Sequence, residues 1–191
     1  MPADPSDPLD AALRIARAFE ERGIAYAIGG ALAYGLWAVP RATVDVDVNV
    51  FVETEDLEPL FAALVSLGIR LDPVAARLQN ERDGMFVGRW SFYRIDVFTP
   101  SIDFAWEAER TRVRHAIGAA SAWFLSAEAI AVFKLLYFRG KDLVDLERLI
   151  ALRPELDVAY VRRQVSSMLG EQDERIAKWD AMVRAWRPRH G

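Results

Sequence analysis

The chain is 191 residues long, enough for one well-buried core or one core with an appended helical region. With 52% hydrophobic and 27% charged residues it has the composition of an ordinary globular protein, and a net charge of −4 argues against a protein that coats nucleic acid by bulk attraction. The absence of cysteine excludes disulfides and thiolate metal sites, and only His115 and His190 could serve as imidazole ligands, so a bound metal must be held by oxygen, which favours Mg²⁺ or Mn²⁺.

The first residues, MPADPSDPLD, are acidic and proline-rich rather than basic and then apolar, and no apolar run reaches the length of a membrane span. A cytoplasmic protein with no membrane partner is expected. A helix follows near residues 8–22, with Leu9, Leu13, Ala16 and Phe19 at helical spacing and Gly23 as its end. Ile24-Ala25-Tyr26-Ala27-Ile28 then reads as a short strand running into Gly29-Gly30 and a helix over Ala31–Trp37. Glycines at such a turn let the backbone approach a phosphate, and the N–H groups of the helix start favour an anion.

Val44–Val52 alternates apolar and polar residues, which predicts a strand with Val44, Val46, Val48 and Val50 on one face and Asp45, Asp47 and Asn49 on the other. The two carboxylates then project the same way about 7 Å apart at the backbone. Like charges so placed repel unless a cation lies between them. A helix near 55–67 and a strand after Gly68 come next, and residues 77–98 suggest antiparallel strands turned at Asp83-Gly84. The second of these, Phe92–Phe98, carries Asp96.

A short helix near 103–109 and strands near 111–117 and 121–125 complete the mixed part, and the pattern beyond Ser126 is helical over 126–138, 140–152, 157–169 and 172–186. We therefore expect an α/β (α+β) mixed sheet flanked by helices over 8–125 and a C-terminal helical region over 126–191. Arg110, Arg112 and Arg114 alternate on an expected strand face, and Arg184, Arg187, Arg189 and His190 form a second basic cluster. Trp179 and Trp186 share a helical face, as packing residues.

Glycine pair, Asp-x-Asp strand and later single-aspartate strand, in this order, resemble the polymerase-beta-like nucleotidyltransferase superfamily. The stretch AIGGALAYGLWAVPRATVDVDVNVFV is similar to the signature of its small bacterial members, including AbiEii-like toxins. The resemblance implies a nucleotidyltransferase-type fold and transfer of a nucleoside monophosphate from an NTP such as ATP to a hydroxyl, on RNA such as tRNA, a protein or a small molecule. It implies that Asp45, Asp47 and Asp96 are catalytic and hold two Mg²⁺ ions, and that Gly29 and Gly30 hold the triphosphate. Arg41 and Thr43 fit the family's lead-in to the acidic strand.

The segment SAEAIAVFKLLYFRGKDLVDLERLIAL is similar to the helical region of the same enzymes, which implies nucleotide-binding roles for Lys134, Lys141 and Asp142, with Asp145 as the further aspartate. Many superfamily members carry serine after the first glycine where this chain has Gly30, so triphosphate binding would fall to backbone N–H groups. The toxin-like members also imply an antitoxin partner. The competing expectation is a regulatory protein that keeps the fold and a nucleotide pocket without turnover.

Overall fold

A computed structural model of the chain describes residues 4–186. Among these residues it forms two compact units. The first is the chain up to Ala33 together with Arg41–Leu125, and the second is Tyr34–Pro40 together with the chain from Ser126 onward.

The first unit contains six strands: β1 (Tyr26–Ile28), β2 (Asp45–Val50), β3 (Met85–Trp90), β4 (Tyr93–Phe98), β5 (Val113–Ile117) and β6 (Ala120–Phe124). They build one mixed sheet in the order β3-β4-β2-β1-β6-β5. β2 runs parallel to β4 and β1 parallel to β6, while the other neighbours are antiparallel. Four helices belong wholly to this unit: α1 (Pro8–Glu20), α3 (Leu57–Ser66), α4 (Pro73–Asp83) and α5 (Phe104–Arg110). The helix α2 (Gly30–Trp37) begins in this unit and ends in the other.

Alternation in β2 sorts its residues as expected, with Val46, Val48 and Val50 buried and Asp45, Asp47 and Asn49 exposed or half-buried. β4 follows the same rule: Tyr93, Ile95 and Val97 are buried, and Arg94, Asp96 and Phe98 are half-buried. Ile15, Phe19, Leu57, Leu60, Leu64, Phe86 and Trp90 complete this core. Asp7 caps α1 by accepting from the Asp10 N–H at 2.8 Å, with Pro8 as its first residue, and the chain leaves α1 through Gly23 at φ +67°.

Residues 77–83 are helical, against the expected strand, and Asp83-Gly84 is not a hairpin turn. Asp72 caps α4 by accepting from Val74 and Ala75 N–H, Pro73 starts it, and Gly84 at φ +66° ends it. Asp-Gly serves equally as a helix end, because glycine takes the left-handed conformation in both settings. The hairpin between β3 and β4 turns at Ser91-Phe92, with Ser91 at φ 54°. The strand expected after Gly68 is reduced to one antiparallel bridge, Arg70 to Arg89. Arg110 ends α5 and Arg112 precedes β5, so the arginine row expected on one strand face does not form. Arg110 pairs with Glu107, Arg112 with Glu109 and Arg114 with Glu20.

The second unit holds α6 (Ala127–Tyr137), α7 (Gly140–Leu152), α8 (Val158–Leu169) and α9 (Glu174–Trp186). Ser126 caps α6 by accepting from the Ala129 N–H at 3.1 Å. Leu135, Leu146, Leu149, Ile150, Val161, Val165, Ile176 and Trp179 are buried, whereas Trp186 is 50% exposed and does not share the packing role of Trp179. Arg153 donates to the last carbonyls of α2, Trp37 O at 2.8 Å and Leu36 O at 3.2 Å, filling acceptors that a helix end leaves unpaired. Arg187, Arg189 and His190 lie outside the described residues. Among the described residues no helix is long and apolar enough to cross a membrane.

Candidate functional site

The site is built from the half-open face of β2 and β4 and from the glycine turn at the end of β1. Parallel pairing sets Asp47 opposite Asp96 and Asp45 opposite Arg94. Paired residues on adjacent strands project from the same face, so Asp47 and Asp96 are lateral neighbours about 4.8 Å apart at the backbone, with Asp45 one step along. The apolar half of each strand fixes this register, because a slip of one residue would turn both sets of carboxylates into the core.

Gly29 donates its N–H to the Asp47 carbonyl at 2.8 Å, which uses that group within the sheet. The N–H groups that α2 leaves for an anion therefore begin at Gly30. Both glycines pack against side chains of β2. A Cβ on Gly29 would lie 2.6 Å from the Asn49 amide nitrogen. At Gly30, where φ is +53°, a Cβ would collide with the Asp47 carboxylate. In this conformation the space a side chain at position 30 would take is filled by Asp47.

Asp96 lies deeper in the face than Asp45. Burial pushes its carboxyl above the usual carboxylate range, against a hydrogen bond and charge from Arg94, and the charge of Asp45 adds to the rise while Arg89 opposes it. Arg94 Nε donates to Asp96 Oδ1 at 2.7 Å. Among the described residues no three His, Cys, Asp or Glu side chains close into a metal-holding group, and the Arg94 guanidinium lies on the Asp96 carboxylate. The donor chemistry nonetheless fits a hard divalent cation: three carboxylates on one face of two adjacent strands, beside a glycine whose missing Cβ leaves room only for Asp47.

The other expected site residues fall in different surroundings. Thr43 accepts from the Asp45 N–H and donates to the Asp45 carbonyl, both at 3.1 Å, which fixes the start of β2. Arg41, ahead of it, is exposed, and so is Lys141 in the first turn of α7. Lys134 is 8% exposed within the second unit. Its Nζ donates to Asp145 Oδ2 at 2.6 Å and to Asp142 Oδ1 at 3.4 Å, and lies 5.1 Å from the Tyr34 ring centre. Tyr34 donates its hydroxyl to the Asp145 carbonyl at 3.2 Å.

Asp142 also accepts from the Arg139 side chain at 2.6 Å and from the Arg139 N–H at 3.2 Å. Burial would raise its carboxyl, but Arg139 and Lys134 outweigh burial and hold it below the usual range. The lysine expected to meet a phosphate is thus committed to two buried carboxylates. Arg94 escaped the sequence reading as a site residue, although its place two residues before Asp96 on a strand put both on one face.

No protein-family model matches the chain, and no curated protein matches it. Solved structures do. An antigenic nucleotidyltransferase-like protein from Paracoccidioides brasiliensis aligns with a TM-score of 0.54 at 19% identity, over 98% of this chain and 99% of that chain. The lincosamide antibiotic adenylyltransferase LnuA, with lincomycin bound, aligns with a TM-score of 0.50 at 13% identity, over 78% of this chain and 99% of that chain. With its six-stranded mixed sheet and flanking helices, the chain has a nucleotidyltransferase-type fold.

Proposed function

We propose that the chain is a nucleotidyltransferase that transfers a nucleoside monophosphate from an NTP to a hydroxyl acceptor and releases pyrophosphate. One observation carries the reading: parallel register sets Asp47 beside Asp96 on the face that also bears Asp45, with Gly30 packed against Asp47. Carboxylates gathered on one face repel one another, and a bound cation relieves that repulsion.

Asp45, Asp47 and Asp96 would hold Mg²⁺ or Mn²⁺, which when bound neutralises triphosphate charge and lowers the pKa of the acceptor hydroxyl. The chain's own groups bind and orient. N–H groups from Gly30 onward in the first turn of α2 bind phosphate oxygens. The Asp96 carboxylate takes the proton of the acceptor hydroxyl, and the hydrogen bond that Arg94 donates to Oδ1 orients it. Arg41, exposed and in the same unit as the acids, is a candidate for further phosphate charge. We assign Thr43 to fixing the backbone of Asp45, and Lys134 and Asp142 to holding the helical unit together.

Two resemblances bear on the acceptor. LnuA is a lincosamide adenylyltransferase, which favours a small molecule, while the sequence resemblance to AbiEii-like toxins favours RNA or protein and an antitoxin partner. The toxin reading is tested by growth arrest on expression that Asp47→Asn relieves. The Arg94–Asp96 ion pair supports a second reading, a nucleotide-binding protein without turnover.

The test of transfer is direct. The purified protein is incubated with Mg²⁺ and each α-labelled NTP in turn, with total RNA, cell protein or an antibiotic panel as acceptor, and label transfer and pyrophosphate are followed. Transfer that Asp47→Asn abolishes supports the enzyme. Bound nucleotide with neither label transfer nor pyrophosphate supports the silent binding protein, and no bound nucleotide overturns both.

A further inference from the structure

The acid-bearing face continues sideways into a row of arginines drawn from three separate segments. β4 and β3 pair antiparallel with Arg94 opposite Arg89, and the bridge beyond β3 sets Arg70 opposite Arg89. That bridge exchanges both backbone hydrogen bonds, Arg70 N–H to Arg89 O at 2.8 Å and Arg89 N–H to Arg70 O at 2.9 Å. Paired residues share a face, so Asp45, Arg94, Arg89 and Arg70 form one line across the sheet, about 4.8 Å per step. The three arginines span about 10 Å, and their row lies one register step, about 7 Å along the strands, from Asp47 and Asp96.

Like charges directly opposite one another on a sheet are destabilising. Arg94 offsets this through its ion pair with Asp96. Arg89 and Arg70 are exposed, and neither side chain makes an ion pair or hydrogen bond among the described residues, in a chain with four more acidic than basic groups. Arg70 also lines an open concavity of about 640 Å³ with Val65, Gly68, Ile69, Leu71 and Asp72, so the row ends in a recess. Two guanidinium groups free of ion pairs among the described residues, in line with a third and beside the carboxylate that takes the acceptor's proton, form a site for anions.

The geometry points to an acceptor that carries phosphate, its phosphate groups lying along Arg94, Arg89 and Arg70 while its hydroxyl reaches Asp96. This rests on the nucleotidyltransferase reading, because only that reading brings an acceptor to Asp96. Two sources supply the chemistry: the phosphodiesters of an RNA end, or the phosphomonoester of a small phosphorylated sugar.

The experiment compares wild type with the double variant Arg70→Ala/Arg89→Ala. Both positions are exposed and repel each other, so the melting temperature is expected to hold or rise. The probes are an eight-nucleotide RNA with a free 3′ hydroxyl, glucose 6-phosphate, ribose 5-phosphate, and lincomycin as an unphosphorylated control. Binding is measured at several salt concentrations, NTP binding separately on wild type. The RNA arm is expected to bind the double variant about tenfold to a hundredfold more weakly. Its slope of log K against log salt should fall by roughly 1.4, the loss of two single-strand phosphate contacts. A similar loss confined to the sugar phosphates also supports the site and assigns its ligand to phosphomonoesters. Wild type and variant binding every phosphate-bearing probe alike, or transfer to lincomycin alone, overturns the phosphate-bearing acceptor and leaves the enzyme standing. Failure of wild type to bind any NTP overturns both.

Discussion

Two regions of the molecule gather carboxylates, and they treat them in opposite ways. On β2 and β4, Asp45, Asp47 and Asp96 share a half-open face, and Arg94 pairs with one of them. In the helical unit, Asp142 and Asp145 are almost fully buried, with Lys134 held between them and Arg139 closing the cluster from outside. Burial without a cation would be prohibitive for the second pair, so the chain supplies the cation covalently, as a lysine. The first set is left partly open to solvent, which reduces the cost of its repulsion and leaves it accessible to a charge from outside. The same residue type thus stands in a closed, buried ion cluster in one region and on a half-open face in the other.

The sharpest break of that contrast is Lys134→Ala. Removing the built-in cation strands two buried carboxylates, and unfolding in urea should show a loss of about 3–5 kcal/mol. Replacing the ion pair as a unit, Lys134→Met with Asp145→Leu, should recover most of that loss, since Asp142 keeps Arg139. A stable Lys134→Ala protein with weakened NTP binding would instead return the lysine to the nucleotide site.

At the open acids the expectation reverses. Asp45→Asn and Asp47→Asn should lower transfer by roughly a thousandfold, the loss of several kcal/mol of charge stabilisation, with the melting temperature unchanged or raised. Lost folding in either variant would make that face structural. A smaller effect comes from Gly30→Ser, which must move Asp47 and accept a left-handed backbone at a cost of about 1–2 kcal/mol in stability. Nucleotide affinity should fall more than stability does.

The smallest effects are in pH, and they differ in sign. Asp142 is held below its usual range, so its contribution is complete above the unfolded value of about 3.9 and is lost as pH falls through the lower folded value. Asp96 is raised, so the folded state binds its proton more tightly, and stability falls as pH rises from about 3.9 through the raised folded value. Acid titrations of Asp142→Asn and Asp96→Asn should therefore shift in opposite directions, with Asp96→Asn at least as stable as wild type at pH 7.

Most of the sheet was legible because β2 alternates strictly between valine and a polar residue, and the helices after Ser126 because caps and glycines punctuate them. Asp83-Gly84 misled because a left-handed glycine ends helices and turns hairpins alike. The shared face of Asp45 and Asp47 could be read within one strand, whereas the pairing of Asp47 with Asp96 depends on register between strands almost fifty residues apart in sequence. The arginine row was hidden for the same reason. Arg110, Arg112 and Arg114 looked like a row because they alternate locally, while Arg70, Arg89 and Arg94 are aligned only by pairing across three segments. Lys134 read as a phosphate ligand because its partners lie on the next helix.

The packing of Asn49 against Gly29 and of Asp47 against Gly30 also constrains how this protein can diverge. A side chain at Gly29 meets only the movable end of Asn49, whereas one at Gly30 meets Asp47 down to its Cβ, so that turn position and the strand are tied to vary together. A turn that recognises phosphate through main-chain groups also has no side chain there for selection to adjust. Variants with altered nucleotide preference should carry their substitutions elsewhere, with Gly30 and Asp47 held as a pair.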